Sequence, residues 1–407
     1  MTATVPLRHL AEVNPPTREF DRLGRDESVT FMPLETVWAD QRVDFSRRVP
    51  KREVASGYTR FRDRDVLVPK VAPTFQAGRV VVATIGTPAG AGTTELHVVR
   101  SRPDISDPRF LAYVCRSAPF LAEGVSTFQG VAGLQRVPDE FIKSFPVASM
   151  NLDEQCRIAD FLDTETARID HLLTLRVRQE AALAAQHDAA ITESIEHALI
   201  STSARRARLK YAGARIAVGI VVTPAAWYVE AGGVPAVRGI DVSPGAINTQ
   251  ALIRISAEGH RRHPKSRLAA GDVLVVRTGK AGAACVVPPD VEGANAIDVL
   301  IIKPGPNLHS KYLEHILNSE QTRRFVDKFS VGTIQSHFNV ATLSELLIPT
   351  LDFQHQSAVA DHLESLAFRQ GSLLDAISSQ RQVLAERRQA LITAAVTGEL
   401  DVTTARG

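Results

Sequence analysis

Cysteine is nearly missing from this chain. Its three cysteines, Cys115, Cys156 and Cys285, are too few and too scattered for a disulfide framework or a metal-ligand spacing. A reducing cytoplasm is the compartment expected. Long apolar runs are missing too. No stretch of about 18 apolar residues occurs, so no membrane-spanning helix is expected. The opening MTATVPLRHLAEV is too short and too polar to read as a signal peptide. Charge of one sign is also in short supply, with 47 basic residues against 45 acidic ones. The arginines nevertheless cluster: Arg47, Arg48, Lys51 and Arg52; Arg205, Arg206, Arg208 and Lys210; Arg261, Arg262, Lys265 and Arg267. Basic patches on a balanced protein suit a polyanion, although a merely solvated face would look the same.

Signatures of catalysis are lacking as well. Asn14-Pro15-Pro16-Thr17 resembles the NPPY loop of adenine methyltransferases, but it lacks the aromatic fourth residue that would stack on an extruded base. Gly279-Lys280 has neither the upstream glycine nor the following Ser or Thr of a phosphate loop. Gly90-Ala91-Gly92 is not followed by the third glycine of a dinucleotide site. His260 and His263 flank two arginines that would repel a metal ion, so a basic loop is the better reading. No catalytic constellation emerges, and an enzyme is not expected.

What the chain does contain is a duplication. The stretch NLDEQCRIADFLDTETARIDHLLTLRVRQEAALAAQHDAAITESI returns as TLDFQHQSAVADHLESLAFRQGSLLDAISSQRQVLAERRQALITAAV. At a constant offset of 201, Leu183 falls on Leu384, Ile191 on Ile392 and Ile195 on Val396. A gapless repeat of this length is an internal duplication rather than shared helical composition. Both copies predict long helices. Ile158, Leu162, Glu165, Ile169, Leu172, Arg176, Gln179, Leu183, Gln186, Ala190 and Glu193 follow alternating steps of four and three. Val359, Leu363, Leu366, Gln370, Leu373 and Ile377 begin the same register in the second copy. That is the 3.5-residue period of a coiled-coil seam. The polar seam positions are too many for a strong homodimeric zipper and favour two helices packing on each other within one chain. At about 1.5 Å per residue each would span on the order of 65 Å, the length of a spacer. Two ordinary bundle helices are the competing reading.

The segments between the helices are also related. Asp65-Val66-Leu67-Val68 matches Asp272-Val273-Leu274-Val275, Phe110-Leu111 matches Tyr312-Leu313, and Leu134-Gln135 matches Ile334-Gln335. Short β-rich runs at Phe31–Leu34, Asp65–Val68 and Arg79–Thr84, separated by Gly/Pro turns, predict a mixed α+β globule. A helix is predicted over Asp107–Glu123, with Asp107 as N-cap and Pro108 at its first position. The expected order is globule (1–150), long helix (151–203), globule (204–349), long helix (350–400). A duplicated frame with two different loop sets suits a protein that reads two different things.

At this point a family pattern is visible. The chain resembles, over essentially its full length, the specificity (S) subunit of type I restriction-modification systems. DVLVPKVAPTFQAGRVVVA and DVLVVRTGKAGAACVV resemble the strand-loop-strand of its recognition domains. Asp153-Glu154-Gln155 with Ile158-Ala159 resembles its E-Q-x-x-I-A helix opening, and LAERRQALITAAVTGELDV its C-terminal close. The departure is His355-Gln356, where Glu-Gln is commoner. The resemblance implies an α+β protein in which two similar α/β target recognition domains are separated and followed by long helices that form an intramolecular antiparallel coiled coil. It implies a non-catalytic reader of double-stranded DNA, each domain taking one half of a bipartite target. The helices would set the spacer and bind methyltransferase (M) subunits, two per chain; restriction-translocase (R) subunits would join for cleavage. No cofactor is expected in this chain: S-adenosylmethionine belongs to M, ATP and Mg to R. No membrane partner is implied.

Base edges are read by Arg, Lys, Gln or Asn side chains on loops. In the first globule the candidates are Lys70, Gln76, Arg79, Gln129, Gln135 and Arg136; in the second, Arg277, Lys280, Gln335, His337 and Asn339. Gln135 and Gln335 could instead pin their loop to backbone. Two other functions fit parts of the pattern. One is a long-helix scaffold without DNA affinity; the other, the recognition half of a single-chain restriction-methyltransferase, needs methyltransferase motifs that are missing.

Overall fold

A computed structural model describes residues 3–33, 43–130, 135–330 and 338–402, with the side chains of 329 and 330 left aside. The chain divides into two compact units, one made of Met1–Val177 with Ile377–Gly407 and the other of Arg178–Ala376. Each unit therefore contains one globule, the start of the long helix that leaves it, and the end of the other long helix.

In the first unit a strand at Thr4–Pro6 pairs antiparallel with Pro146–Ala148, so the chain enters and leaves the globule side by side. Next comes an antiparallel sheet in the order Ala11–Val13, Leu96–Ser101, Val66–Pro69, Val81–Val82. A second sheet runs Arg48–Pro50, Ser28–Met32, Gly90–Gly92, Thr59–Phe61, its middle pair parallel. Val66, Val68 and Val99 face the core that also holds Phe75, Phe110, Phe120 and Phe141. The alternate residues Leu67 and Val98 face the opposite way, toward Met32 and Phe61 of the second sheet. The period of two in these strands thus supplies two cores at once.

The second unit repeats this plan with other residues. Arg206–Arg208 pairs with Leu347–Pro349. The antiparallel sheet runs Arg215–Val218, Val299–Lys303, Val273–Val276, Ala284–Val286. In the second sheet Val234–Arg238 is parallel to Asn295–Ile297 and antiparallel to Ile253–Ile255, as in the first unit. The expected α+β class is what forms.

Two local expectations change. The Arg79–Thr84 run yields only a two-residue strand, Val81–Val82. The single helix expected over Asp107–Glu123 is two, Pro108–Val114 and Ala118–Ser126. Pro119 lacks an N–H and its ring would clash with the carbonyl four residues back, so it opens a new helix instead of continuing the old one. The Asp107 cap is real: its carboxylate accepts from the backbone N–H of Arg109 (2.7 Å) and Phe110 (3.3 Å). Gly90-Ala91-Gly92 is a strand, and a Cβ on Gly90 would lie 2.5 Å from the Phe61 ring. The glycine is there for that close approach.

The long helices are Leu152–Thr202 and Phe353–Thr397. Asn151 and Asp352 cap them, accepting from the N–H of Glu154 and His355 at 2.9 Å. One residue further on, Gln155 and Gln356 make the same three bonds. Gln155 donates to the carbonyls of Ile105 (3.1 Å) and Met150 (3.0 Å) and accepts from Asp107 N–H (3.2 Å). Gln356 donates to Asn307 (3.0 Å) and Leu351 (2.7 Å) and accepts from His309 N–H (2.8 Å). Both are buried, so the amide locks each long helix to the loop that leads into a helix of its globule, Pro108–Val114 in the first and Ser310–Asn318 in the second. His355 at the commoner Glu position keeps a role at the cap: its ring nitrogen Nδ1 lies 2.8 Å from the Asp352 carboxylate.

The heptad seam holds only at its start. Ile158, Leu162 and Ile169 are buried, as is Leu363, but Gln179, Gln186, Glu193, Leu373 and Gln380 are exposed. Further along, the buried residues are Ile191, Ile195 and Ala198 in one helix, and Ile392, Ala395 and Val396 in the other. An α-helix drifts by about 20° per heptad from a 3.5-residue repeat, so one straight seam cannot stay inside for the whole length. Each helix end also belongs to a globule core. Ile158, Ala159 and Leu162 join Ile392, Ala395 and Val396 in the first; Ala360 and Leu363 join Ile191, Ile195 and Ala198 in the second.

Candidate nucleic-acid interface

In the first unit four of the six candidate residues converge where the central strand ends. Lys70 directly follows Val66–Pro69; its backbone N–H bonds Glu95 (2.8 Å) and its carbonyl accepts from Val137 (3.0 Å). Gln135 contributes its carbonyl to Ala72 N–H at 2.9 Å, and Gln129 and Arg136 exchange both backbone bonds (3.0 and 2.9 Å). The side chains follow from this frame. Arg136 lays Nε and a terminal nitrogen on the two oxygens of Glu95, each at 2.7 Å. Lys70 Nζ donates to the Thr94 carbonyl at 2.9 Å. Burial pushes the Lys70 ammonium down while nearby Glu95 pulls it up. The Arg136 fork holds the Glu95 carboxyl below its ordinary value. Gln129 is exposed beside them. Gln76 and Arg79 lie apart from this cluster in the chain's path, at the end of the short helix Ala72–Gln76 and just after it.

The second unit builds the same corner. Arg277 follows Val273–Val276, and its carbonyl accepts from Phe338 N–H (3.2 Å), as that of Lys70 does from Val137. Its guanidinium reaches Asp298 at 2.9 Å and the Phe338 carbonyl at 3.3 Å, and its side chain is only 16% exposed. Asp298, like Glu95, immediately precedes the neighbouring strand. Lys280 is exposed in the following turn, next to Gly279 at φ 75°. Asn339 turns out to be a helix cap, accepting from Thr342 N–H at 2.9 Å. Gln335 and His337 lie outside the described residues.

Sequence reasoning missed the acids. Glu95 and Asp298 carry no motif, and only the alignment of the two strand-pair frames could have pointed to them. It also missed a buried pair one layer down. Arg100 is bidentate on Asp65 (2.8 and 2.7 Å), and Lys303 meets Asp272 at 2.6 Å. Several basic-cluster residues are neutralised locally: Arg52 by Asp26, Arg206 by Glu196, Arg208 and Lys210 by Glu345, Arg262 by Glu258. Asn14 of the NPPT motif is structural. At φ 54° it accepts from Val98 N–H (2.9 Å) and meets His97 Nδ1 (3.1 Å), so it ends a strand pair. Among the described residues no group of three or more His, Cys, Asp or Glu side chains is set to hold a metal, and no helix is long and apolar enough to cross a membrane. What the two corners offer is a rigid strand end carrying cations and amides on loops, a geometry for contacting a polar ligand.

No family model matches the chain. The type I restriction enzyme EcoAI specificity subunit of Escherichia coli is 31% identical over 154 residues, 37% of this chain and 26% of that protein. The chain thus matches about a quarter of the length of the curated relative. A chain solved in work on complex assembly and conformational transition of the type I R-M system superposes with a TM-score of 0.76, at 19% identity, over 98% of both chains. The chain has the fold of a type I specificity subunit. The HsdS subunit from Thermoanaerobacter tengcongensis agrees, with a TM-score of 0.51 at 17% identity over 98% of this chain and 97% of that one. In this chain the duplicated strand-end corners fall once in each globule.

Proposed function

We propose that this chain is the non-catalytic DNA-recognition subunit of a type I restriction-modification assembly, each unit reading one half of a bipartite target. The observation that carries this reading is the repeated corner. The strand end, an acid before the neighbouring strand held by a cation (Glu95 by Arg136, Asp298 by Arg277) and the exit-loop bond occur twice, while the cation comes from different positions and the outward residues differ (Gln129 against Lys280). Two readers on one frame give two half-sites, and the long helices that run through both units would fix the spacer between them. Its partners are double-stranded DNA, methyltransferase subunits at two per chain, and restriction-translocase subunits, in the cytoplasm. S-adenosylmethionine would be supplied by the methyltransferase, and ATP with Mg by the translocase. Val177, Phe368, Leu373 and Val383 are large apolar residues exposed on the long helices by 50%, 79%, 53% and 60%, which suits a partner docking there.

Exchanging residues 1–150 for the corresponding segment of another specificity subunit, then sequencing the methylome, tests the reading. One half of the methylated sequence should change while the other half and the spacer stay. If both halves change together, the globules are not independent readers. A scaffold without DNA affinity is separated by salt-dependent DNA binding of the subunit with its methyltransferase; no binding at low salt overturns the proposal.

A further inference from the structure

The two units share a cleft as well as a corner, and it is furnished differently in each. In the first unit it has a volume of about 580 Å³ and is lined by Arg109, Tyr113, Arg116 and Asp163. In the second it measures about 530 Å³ and is lined by the equivalent Lys311, His315, Asn318 and Glu364. Tyr113 satisfies its hydroxyl on Asp163 (2.7 Å) and Thr166 (3.2 Å). In the second unit a histidine stands in for the tyrosine and Ala367 for the threonine. His315 is 93% buried by its 7% exposure, and its Nε2 has no hydrogen-bond partner. A buried polar atom without a partner marks a place where something is expected.

Facing it is His187, whose counterpart in the first unit is Arg388. The two imidazole rings have their centroids 6.3 Å apart with planes at 55°. His187 Nδ1 lies 3.1 Å from Gln370 Oε1, an atom that only accepts, so Nδ1 carries the proton and Nε2 presents a lone pair. Tying down one ring nitrogen so that the other is free to ligate is how proteins prepare histidine for a metal. Zn–N bonds of about 2.0–2.1 Å put the centroids of two rings on one ion roughly 5–6 Å apart, within a small side-chain adjustment of what is seen. Burial holds the His315 imidazole neutral, with its pKa lowered to about 4, the form that ligates.

We propose that His187 and His315 bind one borderline divalent transition-metal ion, of the Zn²⁺ or Ni²⁺ class, in the cleft of the second unit only. Water completes the coordination, since no third such side chain converges there among the described residues. The ion bridges the long helix to the helix Ser310–Asn318 and takes the place of the Tyr113–Asp163–Thr166 bonds of the first unit. No chemistry is assigned to it.

The test uses the full chain, stripped with chelator and titrated with Zn²⁺ calorimetrically and with Co²⁺ by visible absorption. One equivalent should bind, with ligand-field bands of a nitrogen-ligated ion. His187→Ala and His315→Tyr should each weaken that event by at least tenfold. The tyrosine variant installs the residue that the other unit already carries at this position, which guards against misfolding; circular dichroism checks it. His197→Ala and His362→Ala, in an exposed groove elsewhere on the same helices, should bind as the parent chain does. No saturable uptake at one equivalent overturns the proposal, as does unchanged uptake in His315→Tyr or loss of uptake in the His197 or His362 variant.

Discussion

Truncating Gln155 to alanine should open the first globule where it meets its long helix. The amide is fully buried and serves three backbone groups: the carbonyls of Ile105 and Met150 and the N–H of Asp107. The Asp107 N–H loses its partner in a buried place and the carbonyls of Ile105 and Met150 in partly buried ones, at about 1–3 kcal/mol apiece at most. The deleted side chain leaves room for a water to serve some of them, so the low end applies and the total is about 3 kcal/mol. An opening free energy lower by that amount raises local amide exchange roughly a hundredfold. Hydrogen exchange of the full chain, read by mass spectrometry, should show the increase at residues 105–107 and in the helix Pro108–Val114. The helix Ser310–Asn318 should be unchanged. Gln356→Ala should give the mirror image. A change below threefold, or an equal rise in both helices, would refute the lock and leave Gln155 as filler.

Three further outcomes are expected. Asp65→Asn strips the partner from Arg100, itself 9% exposed, and should cost about 3–5 kcal/mol in chemical unfolding; Asp272→Asn should cost distinctly less, because Lys303 is 33% exposed and reaches solvent. His97 and His315 have pKa values lowered to about 4 by burial. Their contribution is therefore complete above the ordinary histidine pKa of ~6.5 and is lost as pH falls toward 4, about 2 kcal/mol each by pH 5. Imidazole titration by NMR checks the sign, and a ring that titrates near 6.5 contradicts it. Lys280→Ala should weaken methylation at one half-site by about 1–3 kcal/mol if it reads a base edge; Arg277→Ala should instead lower the stability of the second unit, since its side chain is spent on Asp298 and Phe338. Equal stability loss in both variants would remove Lys280 from the reading surface.

The repeat, the long helices and the paired strands were legible in the chain itself, because each rests on local rules. Asp107-Pro108 has the chemistry of a helix start, Asp65–Val68 and Asp272–Val275 alternate as two-sided buried strands, and a gapless offset of 201 needs no structure to be seen. The family resemblance rested on these same stretches. The candidate site was only half legible. Lys70, Gln129, Gln135 and Arg136 lie up to 66 positions apart in sequence; their candidacy was implied by residue type on loops, while their convergence came only with the fold. That Arg277 is occupied by Asp298 and Asn339 by Thr342 was not, since a charged or amide side chain has the same letter whether it faces a ligand or a neighbour. The seam failed for a different reason. Register over a long helix depends on what covers each turn, and the globule cores, brought close only by the tertiary fold, claimed Ile191, Ile195, Ile392 and Val396 in place of the straight heptad line.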